Sequence, residues 1–406
     1  MTTPRPLKDD QLLNRFQALD GFLREHQPLW RPRPFTQRRL PWEARHPDLA
    51  SWLRQRSLSE AEAAHNHPEQ LDAPAPFPQL ASLASQLSEV GELSTIALPA
   101  ASQRLNVDVP GRKWQQIEAF ASHLGFTHQP QHWLDWCSGK GHLGRRLLQT
   151  DRQKLTCLEY DAALVEAGQK LSQHHGLVSQ HLLQDVLSAD ADRYLGSEHT
   201  AVALHACGDL HVRLMQLASR QGCRQLAIAP CCYNRIQAAQ YQPLSAAAIA
   251  SGLQLSIDDL GLPLSETVTA GARVRRQRDE SMARRLGFDL LQRQLRGKDE
   301  YLPTPSLPVS WLHKPFADYC RQLAALKDLQ IDYAPDWEAL QAEGWQRLAQ
   351  VRNLELLRNL FRRPLELWLV LDRGLYLQEQ GYRVQLGVFC EQPLTPRNLM
   401  LLAERQ

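Results

Sequence analysis

Apolar residues recur at helical spacing near the start of the chain: Leu12, Leu13, Phe16, Leu19, Phe22 and Leu23 mark one face of a short helix. Pro28, Pro32, Pro34 and Pro41 then break the chain among Trp30, Phe35 and Trp42, which predicts an extended wrap. Pro74, Pro76 and Pro78 separate a polar helical piece from Leu80 to Val90, where helical spacing returns. This texture predicts a helical accessory domain over 1–105.

The pattern changes from Val109 onward. Pro110-Gly111-Arg112-Lys113 leads into an amphipathic helix built on Trp114, Ile117, Phe120, Ala121 and Leu124. Short apolar runs follow near 131–137, Leu155 to Glu159, Gln180 to Leu187, Ala201 to Ala206 and Gln225 to Ala229, with a helix over Ala162 to Ser172 between the second and third. Strands alternating with helices predict a parallel sheet with right-handed crossovers, so ligands belong beyond the carboxyl ends of the strands. The core domain is expected over 106–235. A mostly helical insertion punctuated by Pro303, Pro305 and Pro308 fills 236–345 and is expected to cover the substrate entrance. The core resumes over 346–406 with a helix from Pro364 to Gly381, an alternating strand from Arg383 to Cys390 and a last strand from Asn398 to Leu402. A short turn joins the last two strands, so they must be antiparallel. The fold class is α/β: a Rossmann-like sheet, parallel with an antiparallel C-terminal strand pair, plus a helical N-terminal domain and a helical insertion.

Composition changes this picture little. A chain of 406 residues, 43% hydrophobic and 22% charged, can bury a large core, and a formal charge of +2 neither demands nor excludes nucleic acid. No apolar run approaches the roughly 20 residues needed to span a bilayer, and the polar start lacks a signal-peptide core. Eight cysteines in a chain this long, two of them adjacent, do not form the framework of a small secreted domain. A soluble cytoplasmic protein with reduced thiols is expected.

Candidate chemistry gathers at the strand ends. Asp135-Trp136-Cys137-Ser138-Gly139-Lys140-Gly141-His142-Leu143-Gly144 joins a buried strand to a helix through spaced glycines. The glycine pattern alone fits a dinucleotide or S-adenosylmethionine (SAM). A dinucleotide loop holds pyrophosphate at the helix N-terminus, whereas SAM carries a positive amino group and sulfonium, which suit Asp135. The expected cofactor residues are therefore Asp135, Cys137, Ser138, Gly139, Lys140 and Gly141. Glu159, ending the second strand, can accept hydrogen bonds from vicinal ribose hydroxyls, and Asp185, ending the third, one from the adenine amino group.

The fourth strand ends Leu204-His205-Ala206-Cys207-Gly208-Asp209-Leu210 and the fifth Pro230-Cys231-Cys232-Tyr233-Asn234, so both tips face one mouth. His205 and Asp209 are candidate bases for an oxygen or nitrogen acceptor. Cys207, Cys231 and Cys232, with Tyr233 beside them, complete the candidate catalytic set, since a thiolate can also add to a pyrimidine ring and activate its neighbouring carbon. Asp209 also suits the N-cap of the helix that follows. His205 with the three cysteines holds the ligand types of a zinc site, but adjacent cysteines and the lack of a Cys-x-x-Cys spacing argue against one, and no metal is expected. A non-enzymatic adaptor on the same fold would have no physical need for these glycines or for Glu159.

Together, the Asp-Trp-Cys-Ser-Gly-Lys-Gly-His-Leu-Gly loop, the Leu-His-Ala-Cys-Gly-Asp-Leu strand end and Pro-Cys-Cys-Tyr resemble the methyltransferase domain of glutathione S-transferase C-terminal-domain-containing proteins. They are similar also to methyltransferase-like proteins with a Cys-Cys-Tyr-His element and, more distantly, to a eukaryotic tRNA 2′-O-methyltransferase. Leu394-Thr395-Pro396-Arg397-Asn398 looks like the Ser-Pro-Arg-Asn turn near the end of those proteins. The resemblance covers about 110–235 and 345–405. It implies a class I methyltransferase sheet and SAM-dependent methyl transfer. Cys137, where many SAM enzymes have a glycine, is then a family trait. Asn234 departs by replacing the histidine of Cys-Cys-Tyr-His, and the N-terminal part matches no glutathione transferase fold. Arg273, Arg275, Arg276, Arg278, Arg284, Arg285, Arg293, Arg296 and Lys298 form a basic cluster that points to a phosphate-bearing acceptor. RNA is the favoured acceptor, ahead of protein or a small molecule.

Overall fold

Among the described residues, eight strands form one sheet: β1 (Leu7–Lys8), β2 (His132–Trp136), β3 (Lys154–Glu159), β4 (Ser179–Leu183), β5 (His199–Cys207), β6 (Gln225–Cys231), β7 (Tyr382–Val388) and β8 (Leu399–Arg405). The computed structural model describes residues 4–102, 105–107, 109–150, 152–266 and 271–405. The strand order is β1-β7-β8-β6-β5-β2-β3-β4. Strands β2 to β6 pair in parallel, and β8 runs antiparallel to both β6 and β7. This is the seven-stranded class I arrangement expected from the C-terminal strand pair, extended at one edge by the short β1 antiparallel to β7.

The central strands are buried on both faces, which is why they read as continuous apolar runs. Trp133, Leu155, Val202 and Ala227 share a cluster with Ile117 and Phe120 of the helix Gly111–Ser122 and with Leu124 just beyond it. The parallel strands begin at β2, move outward to β3 and β4, then return to place β5 on the other side of β2. That reversal opens a crevice beyond the carboxyl ends of β2 and β5, where open α/β sheets bind ligands.

The chain separates into two compact units, one of Met1–Arg24, Leu87–Leu264 and Arg363–Gln406 and the other of Glu25–Gln86 and Ser265–Arg362. The segments expected over 1–105, 106–235, 236–345 and 346–406 are cut differently. Helix Asp10–Glu25 buries Leu12, Phe16, Leu19 and Leu23, and Phe16 packs on Trp368 with ring centroids 5.1 Å apart. Its apolar stripe was legible, but its partner lies some 350 positions along the chain and no local pattern names it. Residues 236–264 likewise belong with the sheet. The second unit is helical. Its helix Ala272–Arg296 packs Leu286 and Phe288 into clusters with Leu348 and Val351 or with Phe316, Tyr319 and Leu323.

Among the described residues, no helix is long and apolar enough to cross a membrane. All eight cysteines are free.

Candidate active site

The loop after β2 is held by its own backbone and by one carboxylate. Cys137 takes a left-handed conformation at φ 57°, which turns the strand end into the loop. Ser138 N donates to Leu158 O at 3.0 Å and Gly141 N to Ser138 O at 2.9 Å. Gly139 N donates to Glu159 Oε2 at 2.8 Å. Gly141 caps helix His142–Leu147 at φ 71°, and a Cβ there would lie 2.5 Å from His181 Cε1 and 3.0 Å from Cys157 Sγ. Glycine is therefore required by conformation and by space.

Asp135 sits beneath this loop. It is 3% exposed, and its Oδ2 accepts from Gly144 N at 2.9 Å. Burial pushes its carboxyl up to about 7, against the lowering effect of that hydrogen bond. Ser138 turns its hydroxyl inward toward Cys157, and Lys140 enters the network through its carbonyl, which accepts from Arg145 Nη1 at 2.5 Å.

A cavity of about 390 Å³ opens beyond β2, β3 and β4, lined by Cys137, Leu158, Glu159, Tyr160, Gln184, Asp185, Val186, Leu187 and Leu210. Three expected cofactor residues, Cys137, Glu159 and Asp185, thus meet on one wall system. Gly139 and Gly141 shape the adjoining loop, while Asp135, Ser138 and Lys140 are not among the lining residues. Glu159 Oε1 accepts from Tyr160 N at 2.9 Å and from Asp161 N at 3.0 Å, while Oε2 takes Gly139 N. A carboxylate has about four acceptor positions, so one remains for a ligand hydroxyl.

Asp185 does not end a strand. The third strand, expected over Gln180 to Leu187, stops at Leu183, and Asp185 Oδ1 accepts from Leu187 N at 2.9 Å. The aspartate turns the chain there, as such side chains do when they bond the backbone two residues on. Tyr160 and Val186, which were not foreseen, each follow a predicted acid directly. That adjacency was the available signal.

The tips of β5 and β6 are built differently. The register between these strands shifts from Leu204 to Cys207, and His205 takes φ 69°. His205 Nε2 lies 2.8 Å from Gln116 Oε1. Although part of the ring meets solvent, loss of hydration among surrounding groups and the charge of Lys113 lower its pKa, so the imidazole is neutral near pH 7. Cys207 Sγ lies 3.4 Å from Cys231 Sγ, and with Cys232 the three sulfurs are all within 4.8 Å of one another. Hydrogen bonding between the thiols divides them: Cys231 is pushed up, and Cys232 is lowered to about 5 chiefly by its bond from Cys231.

Two expected catalytic residues are engaged elsewhere. Tyr233 is fully buried, with its hydroxyl donating to Pro230 O at 3.4 Å and Glu366 Oε1 at 3.3 Å and with Arg373 over its ring. It is a packing residue because the left-handed turn at Cys232 sends it inward. Asp209 is the first residue of helix Asp209–Arg220 and not its N-cap, which is Gly208. Its Oδ2 accepts from Gln237 N at 2.7 Å. Gln116, the partner of His205, comes from the helix preceding the first strand, where nothing in the local pattern marks it.

Residues 112–239, which contain the loop, Glu159, the cavity wall and both tips, match the family model of a methyltransferase domain. The chain carries a methyltransferase domain. A glutathione S-transferase C-terminal domain-containing protein of Xenopus laevis is 30% identical over 148 residues, 35% of this chain. The match spans 23% of that relative's length. Among solved structures, the plantazolicin methyltransferase BpumL in complex with SAH is 14% identical with a TM-score of 0.23, covering 50% of this chain and 68% of that one. Coclaurine N-methyltransferase bound to N-methylheliamine and SAH is 13% identical with a TM-score of 0.25, covering 85% and 90%. Scores this low leave the assignment of the methyltransferase domain to the sheet order and the family match.

Proposed function

We propose that this methyltransferase domain binds SAM and transfers its methyl group to an acceptor, with RNA as the acceptor class. The observation that carries the reading is Glu159: it closes β3, holds the Gly139 amide, lines the cavity and keeps acceptor capacity for a ribose hydroxyl. The donor set fits a nucleoside cofactor without phosphate, because the cavity presents Glu159 and Asp185 and no basic side chain.

SAM supplies an activated methyl on sulfonium, so the protein needs chiefly to align the acceptor and exclude water. His205 is the residue we assign to the acceptor proton. With Gln116 Oε1 accepting from Nε2, the neutral ring keeps a basic Nδ1, although which nitrogen carries the proton is set by that contact.

RNA is supported only by the exposed Arg273, Arg275 and Arg276 of helix Ala272–Arg296. The other arginines of that cluster are largely spent internally: Arg284 on Glu280, Arg293 on Asp289 and Asp299, and Arg285 on Thr304. A cytoplasmic location completes the reading and suits eight free cysteines.

Isothermal titration with SAM tests the cofactor. Binding is expected in the unmutated protein, and Glu159→Ala should weaken it by at least about tenfold, since it removes the ligand acceptor and frees three backbone donors. An unmutated protein that takes up no SAM refutes the assignment. Methyl-labelled SAM incubated with separated RNA, protein and small-molecule extracts tests the acceptor. Label in RNA is expected, and label confined to protein would overturn that choice while leaving methyl transfer intact.

A further inference from the structure

Five of the eight cysteines sit singly, and three of those, Cys157, Cys223 and Cys320, are fully buried in the manner of small apolar packing residues. Cys207, Cys231 and Cys232 behave otherwise. Cys207 and Cys232 are partly open to solvent, and all three sulfurs converge within 4.8 Å. Convergence of adjacent residues needs a backbone cause, because successive side chains in a strand point to opposite faces. That cause is the left-handed turn at Cys232, φ 46°, immediately after β6 ends at Cys231. It reverses the alternation and brings the Cys232 thiol to the side already shared by Cys231 and Cys207. Adjacency of Cys231 and Cys232, which argues against a shared ion in sequence, is overcome by that turn.

The spacing suits a metal. Thiolates about 2.3 Å from a tetrahedral ion lie roughly 3.8 Å apart. Cys207 and Cys231 are 3.4 Å apart and no pair exceeds 4.8 Å, so closing the set requires any pair to shorten by at most about 1 Å. A disulfide would use only two of the three sulfurs and would leave the strained turn at Cys232 without purpose. Left-handed conformations cost a non-glycine residue about 1–2 kcal/mol, and such outliers persist where the surrounding structure imposes them.

We infer that Cys207, Cys231 and Cys232 form a three-thiolate site for a soft divalent cation of the zinc type, with one coordination position left for a ligand from outside the trio. Binding displaces whatever thiol protons the trio still carries and transfers no electron. The inference stands apart from methyl transfer, because it concerns only whether the tips of β5 and β6 hold an ion.

Cobalt(II) is the probe. The full chain, stripped with a chelator and kept reduced with a phosphine, should develop thiolate-to-cobalt absorption that saturates at one ion per chain and disappears when zinc is added. Cys207→Ser and Cys232→Ser should each weaken binding by more than the roughly 10–100-fold that loss of a supporting partner costs. Cys320→Ser, a cysteine of the helical unit, should leave it unchanged, and far-ultraviolet circular dichroism confirms that each variant is folded. If Cys207→Ser does not fold, Cys232→Ser decides alone. Absence of the thiolate band in the reduced unmutated protein overturns the site, as does a band equally strong in Cys232→Ser and Cys320→Ser. Titration of SAM into metal-free protein is a separate measurement, so failure of either idea leaves the other testable.

Discussion

The ends of β2, β3 and β4 and the ends of β5 and β6 solve opposite problems. In the first group, side chains serve the backbone: Glu159 takes three amides, Asp135 takes Gly144 N, and Asp185 takes Leu187 N. In the second, the backbone serves the side chains. Gly208 N bonds Cys231 O, Asp209 N bonds Arg235 O and Arg235 N bonds Cys232 O, all backbone to backbone. His205 and Cys232 are aimed by positive φ, which sets the His205 ring against Gln116 and the Cys232 thiol beside Cys231 and Cys207. A wall tied by carboxylates is preorganised for a fixed ligand, whereas a strained tip exposes chemistry at a cost in stability.

The strongest way to break this comparison is Gly208→Ala. Gly208 has φ 54°, and a Cβ there would overlap the backbone carbonyl of Arg235. Backbone cannot swing aside as a side chain can. Strain of about 1–2 kcal/mol and overpacking of about 1–3 kcal/mol should add, for a loss near 2–5 kcal/mol in urea unfolding. The same experiment should register loss of thiolate-cobalt absorption at temperatures where the variant is still folded. A variant as stable as the parent would show that the tip is pliable and that its shape is not imposed by the crossing of Gly208 and Arg235.

This asymmetry also explains what was legible in the sequence. Apolar runs fixed by burial on both faces, and a turn made of spaced glycines, are local patterns; β2, β3, β5, β6 and the antiparallel pair of β7 and β8 follow from them. Glu159 was legible because it ends such a run. The limits are equally physical. Asp135 reads in sequence as a carboxylate for the positive groups of SAM, yet it lies under the loop because Gly144 returns over it nine residues later. Tyr233 reads as part of the tip, yet the turn at Cys232 sends it into the core against Glu366. Arginines on helix Ala272–Arg296 read as a basic face, yet their partners are Asp299 and Thr304 in the loop beyond and Glu280 and Asp289 one turn away. Pairings of this kind are set by tertiary contact.

Asp135 sharpens the comparison, because it gives the ordered wall a cost of its own. Burial holds its carboxyl at about 7 in the folded state, above the ordinary aspartate value of 3.8. The native state therefore holds the proton more tightly than the unfolded chain. Its contribution to stability is complete below about pH 4 and is lost as pH rises to about 7, after which both states are ionised and the curve is flat. At one pKa unit per 1.36 kcal/mol, the loss is at most on the order of 4 kcal/mol. Asp135→Asn keeps an oxygen for the Gly144 amide but cannot ionise. Subtracting its stability curve from that of the parent between pH 4 and 8 isolates this residue from the other titrating groups. The expected difference grows in favour of Asn toward pH 7. A flat difference would mean that the carboxylate is charged throughout, and that the wall carries no buried-acid penalty.

The smallest effect belongs to Tyr160, and it separates binding from folding on the wall itself. Its side chain lines the cavity next to Glu159 while remaining 75% exposed. An exposed ring on a cavity wall contributes little to the fold, so Tyr160→Ala should change unfolding free energy by no more than about 0.5 kcal/mol. A nucleoside base laid against that ring would lose about 1–3 kcal/mol of stacking, equivalent to roughly 5–150-fold in Kd. Calorimetric titration of SAM should therefore show weaker binding at unchanged Tm in the absence of ligand. Tyr160→Phe keeps the ring face and should bind like the parent. If Tyr160→Ala binds SAM as tightly as the parent, the base does not lie on this ring, and the wall that recognises it must be built from the other lining residues, Asp185, Val186 and Leu187 among them.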